Sequence, residues 1–142
     1  MGEHAGKDGS QMGKDRLDDI WEKQAALNDE IAHLRHLEFT PPAEWAPRIS
    51  VALIAELIEV LDELNYKWWK NAKPVERQAL AEELADVLHF FVSLCLIVDV
   101  SPDELYQAYV SKQRENLARQ HGESAKVGYS VADRDIDGGD PA

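Results

Sequence analysis

Four acidic side chains open the case for chemistry. Glu56-Leu-Ile-Glu59 and Glu83-Leu-Ala-Asp86 are two acid pairs with the same spacing. Residues three apart share one face of a helix, so each pair presents two carboxylates together if its segment is helical. A chain with 27 acids will contain one such pair by chance. Register makes the two together more informative. Glu59 and Glu83 are equidistant from Asn71, and so are Glu56 and Asp86. A helical hairpin turning around residues 67–74 would therefore bring all four carboxylates to one patch.

The surrounding residues indicate where that patch points. At helical spacing, Val87, Phe90 and Leu94 fall in the sector of Glu83 and Asp86, while Leu53, Leu57, Val60 and Leu64 flank Glu56 and Glu59. Carboxylates crowded beside a core repel one another and lose hydration, at a cost of several kcal/mol per ion. A bound divalent cation relieves both penalties. Glu63, one turn beyond Glu59, is placed for an outer role, whereas Asp62 and Glu82 belong to the solvent side. His89 has no second histidine at ligand spacing, so it reads as a packed or hydrogen-bonded residue. A solvated acidic face with no ligand is the alternative.

The elements needed to hold these residues are helices. Asp15 to Leu37 carries Leu17, Ile20, Trp21, Ala25, Leu27, Ile31, Leu34 and Leu37 at mixed three and four spacings. Thr40-Pro41-Pro42 breaks that stripe. A second helix is expected from about Arg48 to Tyr66, a third from Val75 to about Asp99, and a fourth to about Gln120. The last has Ser101 as N-cap, Pro102 at the first helical position and Glu104 three residues on. No segment alternates long enough to make a strand. The expected fold is an all-α bundle of four to five helices over residues 15–122, with polar, unstructured tails at 1–14 and 123–142.

Composition sets the limits. The 142 residues suit one domain with a genuine core. The net charge of −12 disfavours nucleic acid as a partner, because phosphate backbones are bound by lysine and arginine. Small phosphorylated ligands remain open if cations bridge them to carboxylates. The longest apolar stretch, residues 87–98, falls short of the roughly 20 residues of a bilayer span. No signal-type segment is evident, and the single Cys95 cannot form an internal disulfide, so a reduced, cytoplasmic protein is expected. That same apolar stretch exceeds what three partner helices easily cover, which predicts a homo-oligomer, most simply a two-fold dimer.

The paired acids, 23 residues apart, resemble those of the all-α nucleoside triphosphate pyrophosphatases of MazG-like type. Tyr66-Lys-Trp-Trp-Lys70 and Glu83-Leu-Ala-Asp86-Val-Leu-His-Phe-Phe91 are similar to the dimeric dUTPases within that superfamily. The resemblance implies that Glu56, Glu59, Glu83 and Asp86 hold magnesium, with manganese as an alternative. It also implies that Glu59 positions or deprotonates a water for hydrolysis of dUTP to dUMP and pyrophosphate. Gln24 and Asn28 correspond to the family's uracil-side motif, and Lys112, Asn116 and Arg119 to a phosphate- and sugar-binding K-x-x-x-N-x-x-R. Trp69 and Lys70 correspond to base or sugar packing and phosphate contact, and Trp68 is expected in the core. Two features depart from the family pattern: Gln113 stands where asparagine is usual, and Gly128-Tyr129 comes later than the usual glycine-tyrosine. A sibling enzyme for another nucleotide, such as a dCTP-type pyrophosphatase, and a non-catalytic helical dimerisation module are the alternatives.

Overall fold

The computed structural model describes residues 14–126 and 128. Residues 1–13 and most of the stretch after 126, Tyr129 included, lie outside the described residues. Among the described residues there are four helices and no strand: α1 (Arg16–Arg35), α2 (Pro42–Glu63), α3 (Arg77–Ile97) and α4 (Pro102–Gln120). The all-α expectation holds. None of these helices is long and apolar enough to cross a membrane.

Local chemistry sets each end. The Asp15 side chain accepts the Asp18 N–H at 2.9 Å, and Asp18 and Asp19 add negative charge where the α1 dipole favours it. His36 closes α1 in the left-handed region (φ 55°), its N–H and that of Leu37 returning to the last carbonyls. At the start of α4, Ser101 Oγ accepts from the Glu104 N–H while Glu104 Oε2 accepts from the Ser101 N–H. This is the reciprocal cap expected from the sequence. These bonds, from backbone and then side chain, hold the Glu104 carboxyl below its ordinary range.

α2 begins six residues before its expected start at Arg48. Pro42 starts the helix and Pro47 lies inside it. A proline inside a helix forfeits the bond to the carbonyl four residues back and crowds that carbonyl, and here that residue, Ala43, is exposed to solvent. The Glu44–Arg48 pair and the Ser50 hydroxyl on the Ala46 carbonyl support the same turns. The extension carries Trp45.

Two compact units divide at the Val100–Ser101 junction. In the first, α3 is central, packing along α2 and also against α1. Its core is Trp21, Val60, Val92 and Cys95, with Gln24 and Ser93 also buried. Trp21 Nε1 donates to the Val100 carbonyl at 3.2 Å, anchoring α1 to the chain just beyond α3. Between α2 and α3, Asn65 sits in the left-handed region and its amide clasps Lys73 through both backbone N–H and C=O, at 2.9 and 2.8 Å. That clasp closes the loop and sets the hairpin register. The second unit consists of α4 and the residues after it.

Candidate active site

The hairpin brings acids together. Glu56 and Glu59 from α2 and Glu83 from α3 each offer a carboxylate oxygen, and these oxygens all lie within 4.8 Å of one another. Glu56 and Glu83 are half-buried and Glu59 is exposed. Glu83 Oε2 is buried and has no hydrogen-bond partner among the described residues. Lost hydration, followed by the charges of Glu59 and Asp86, raises the Glu56 carboxyl above its ordinary range. Glu83 is raised likewise by lost hydration, then by the charge of Glu59, a shared hydrogen bond with Glu59, and the charges of Asp86 and Glu56.

Asp86 does not join that trio, although its charge bears on two of its members. It faces a groove of about 780 Å³ whose walls come from α1, α2, α3 and the segment after α1. Glu63 lies outside the trio as well. Asp62 is exposed and pairs with Lys67 at 3.1 Å, and Glu82 is exposed and accepts from Gln78, as expected for solvent-side acids.

Gln24 and Asn28 line the same groove as Asp86, with His89, Ser93, Phe90 and Trp45. Gln24 Nε2 donates to Asn28 Oδ1 and to Ser93 Oγ, both at 2.9 Å, and Ser93 Oγ donates to Asn28 Oδ1 at 3.1 Å. His89 Nδ1 meets Gln24 Oε1, so His89 is hydrogen-bonded, as its isolation from other histidines suggested. Sequence reasoning missed Ser93, hidden inside an apolar run, and Trp45, hidden by the misplaced start of α2. The polar residue recurring four after His89 was the available signal for Ser93.

The other expected residues lie elsewhere. Trp69 and Lys70 belong to the interhelical loop and are exposed. Trp69 meets Tyr66 and Trp68 edge-on at centroid distances of 6.5 and 5.7 Å. Lys70 lines a smaller cavity of about 300 Å³ with Lys67, Lys73, Asp62 and Asn65. Trp68 is 87% exposed, so the expectation that it lies in the core is wrong. The loop is held by the Asn65 clasp and its own aromatic contacts, and neither requires burial of Trp68. Lys112, Asn116 and Arg119 lie on α4, in the second unit. There Arg119 Nε donates to Glu115 Oε1 at 3.0 Å, and its Nη1 lies 3.5 Å from Asn116 Oδ1.

An all-α hairpin that crowds carboxylates beside a half-apolar groove is suited to holding divalent cations for phosphate chemistry. A family model described as dUTPase matches residues 16–102, and the chain belongs to this all-α dUTPase family, enzymes that hydrolyse dUTP. No curated protein and no solved structure matches the chain.

Proposed function

We propose that this chain is a magnesium-dependent dUTP pyrophosphatase that releases dUMP and pyrophosphate and also acts to some extent on dUDP. One observation carries the reading: three carboxylates from two helices converge, and one of their oxygens, Glu83 Oε2, is buried with no partner. An orphaned carboxylate oxygen in an acidic cluster is costly unless a cation completes it. The all-oxygen donor set suits magnesium, with manganese as a substitute. Glu56, Glu59 and Glu83 would hold it, with Asp86 at the groove side. When bound, magnesium neutralises phosphate charge and lowers the pKa of a bound water.

The chain's own residues supply the rest. Glu59, the exposed member of the trio, accepts the proton of the attacking water. The anhydride bond between the first and second phosphates then breaks, and pyrophosphate leaves. The groove lined by Gln24 and Asn28 takes the uracil, with Trp45 and Phe90 as apolar walls. Trp69 packs on base or sugar. Lys70 contacts a phosphate. By resemblance to the family pattern, and within the second unit, Lys112 and Arg119 are phosphate-binding and Asn116 sugar-binding.

We further propose a homodimer. The apolar excess was expected on residues 87–98, where Leu88, Phe91 and Val98 are exposed and Val92 and Cys95 are buried, and further exposed apolar residues lie on α2. Val51, Ile54, Ile58 and Leu61 form a second apolar stripe on that helix, and a helix apolar on two faces is usually covered on both.

The deciding experiment is a panel of nucleoside triphosphates with magnesium, with products separated by chromatography. The expected result is dUTP cleaved to dUMP and pyrophosphate. A better dCTP or purine triphosphate substrate would transfer the chain to a sibling activity. No cleavage with magnesium or manganese would remove the enzyme reading.

A further inference from the structure

The hydrogen bonds around Gln24 form a circuit, and a circuit of amides has only two self-consistent polarities. In the structure Gln24 Nε2 uses both hydrogens, one on Asn28 Oδ1 and one on Ser93 Oγ. The Ser93 hydroxyl passes its single proton to Asn28 Oδ1. Gln24 Oε1 faces His89 Nδ1, and because a carbonyl oxygen only accepts, Nδ1 carries the proton. Gln24 and Ser93 are 5% and 3% exposed, and every polar side-chain hydrogen of these two residues is used within the circuit. Asn28 Oδ1 receives two bonds, so the edge that Asn28 retains for the groove is its amide nitrogen, a donor.

The opposite polarity is weaker. If Nδ1 of His89 lacked the proton, Gln24 would turn its amide and donate to it. Gln24 Oε1 would then accept from Asn28 Nδ2 and Ser93 Oγ, and Asn28 would show the groove its oxygen. One buried hydrogen of Gln24 would have no acceptor, which is the expensive way to arrange polar groups. His89 and Ser93 thus decide, through Gln24, which edge Asn28 offers.

We propose that His89 and Ser93 are positioning residues that lock Asn28 as a donor, so that the groove selects a ring carrying a carbonyl over one carrying an amino group at the same position. The inference rests on the reading that this groove takes the pyrimidine of a nucleotide. Uracil presents an oxygen where cytosine presents an amine, and a donor facing an amine leaves both groups unpaired.

Two measurements test it. In the nucleotide-free protein, long-range proton–nitrogen NMR reads the His89 tautomer, with Nδ1–H expected. A predominant Nε2–H tautomer overturns the proposal whatever the substrate is. Separately, kcat/KM for dUTP and dCTP with magnesium is compared across variants. The unaltered enzyme is expected to prefer dUTP at least tenfold; no preference would overturn the base-reading groove itself. His89→Phe is expected to lower the dUTP-to-dCTP ratio at least fivefold, with the larger loss on dUTP and in its KM. Ser93→Ala, a smaller change at a buried site, is expected to shift the ratio in the same direction. His89→Lys, which still donates, is expected to restore it in part. If both substrates fall in parallel, or the ratio does not move, the two residues are merely structural and the proposal fails.

Discussion

Glu59 on α2 and Glu83 on α3 hold carboxylate oxygens within 4.8 Å of each other, and the buried oxygen of Glu83 has no partner. Without a cation this contact opposes folding at neutral pH. Glu83 and Glu56 are both raised in the folded state, chiefly by lost hydration. A group raised on folding contributes stability that is full below its unfolded pKa and is lost as pH climbs through the folded value. The metal-free protein should therefore become more heat-stable as pH is lowered from 7 toward the ordinary glutamate range. Glu83→Gln should raise its Tm at pH 7 and abolish stabilisation by magnesium. In the unaltered chain, magnesium at a hundredfold excess over its Kd should add about 2.7 kcal/mol. Calorimetry with and without chelator checks all three.

Glu59→Gln preserves size and removes a charge and a basic oxygen. Turnover with magnesium should fall at least a hundredfold while helicity by circular dichroism persists. Asp62→Asn is the control. Its exposed pair with Lys67, whose amine is held above its usual range mainly by the hydrogen bond to Asp62, should cost little stability and little activity. Equal losses of turnover would mean that the site is misplaced.

UTP and dTTP should be cleaved at least tenfold less efficiently than dUTP, a difference of about 1.4 kcal/mol in the barrier. On the proposed reading the acid cluster, and not the terminal phosphate, carries the chemistry, so dUDP should release phosphate measurably. Coupled pyrophosphate and phosphate assays distinguish the two products. Strict dependence on a triphosphate would contradict the role given to the cluster.

Light scattering at micromolar concentration should give twice the monomer mass. Replacing Ile58 with Glu on the exposed stripe of α2 should shift it toward monomer with helicity retained. A strict monomer in the unaltered chain would remove the dimer proposal.

What the sequence by itself determined is what local rules control. The reciprocal cap at Ser101 and Glu104 was legible because it involves neighbours three apart. Four helices and the convergence of Glu56, Glu59 and Glu83 followed from periodicity and from equal distances about Asn71. The family was legible in the same residues. Tertiary packing decided what those rules do not reach. Only the packed hairpin could show that Asp86 turns to the groove and leaves the trio, because face assignments at 100° per residue do not say which neighbour each side meets. Trp68 is exposed in a loop closed by the Asn65 clasp, a contact that composition does not advertise. The start of α2 was expected six residues late, and the cost of Pro47 within the helix depends on whether the carbonyl it abandons can reach water. Finally, the His89–Gln24–Ser93–Asn28 circuit joins α1 to α3 across more than 60 positions of chain. Hydrogen-bond polarity is a property of the assembled circuit, since no one of the four side chains can orient itself alone.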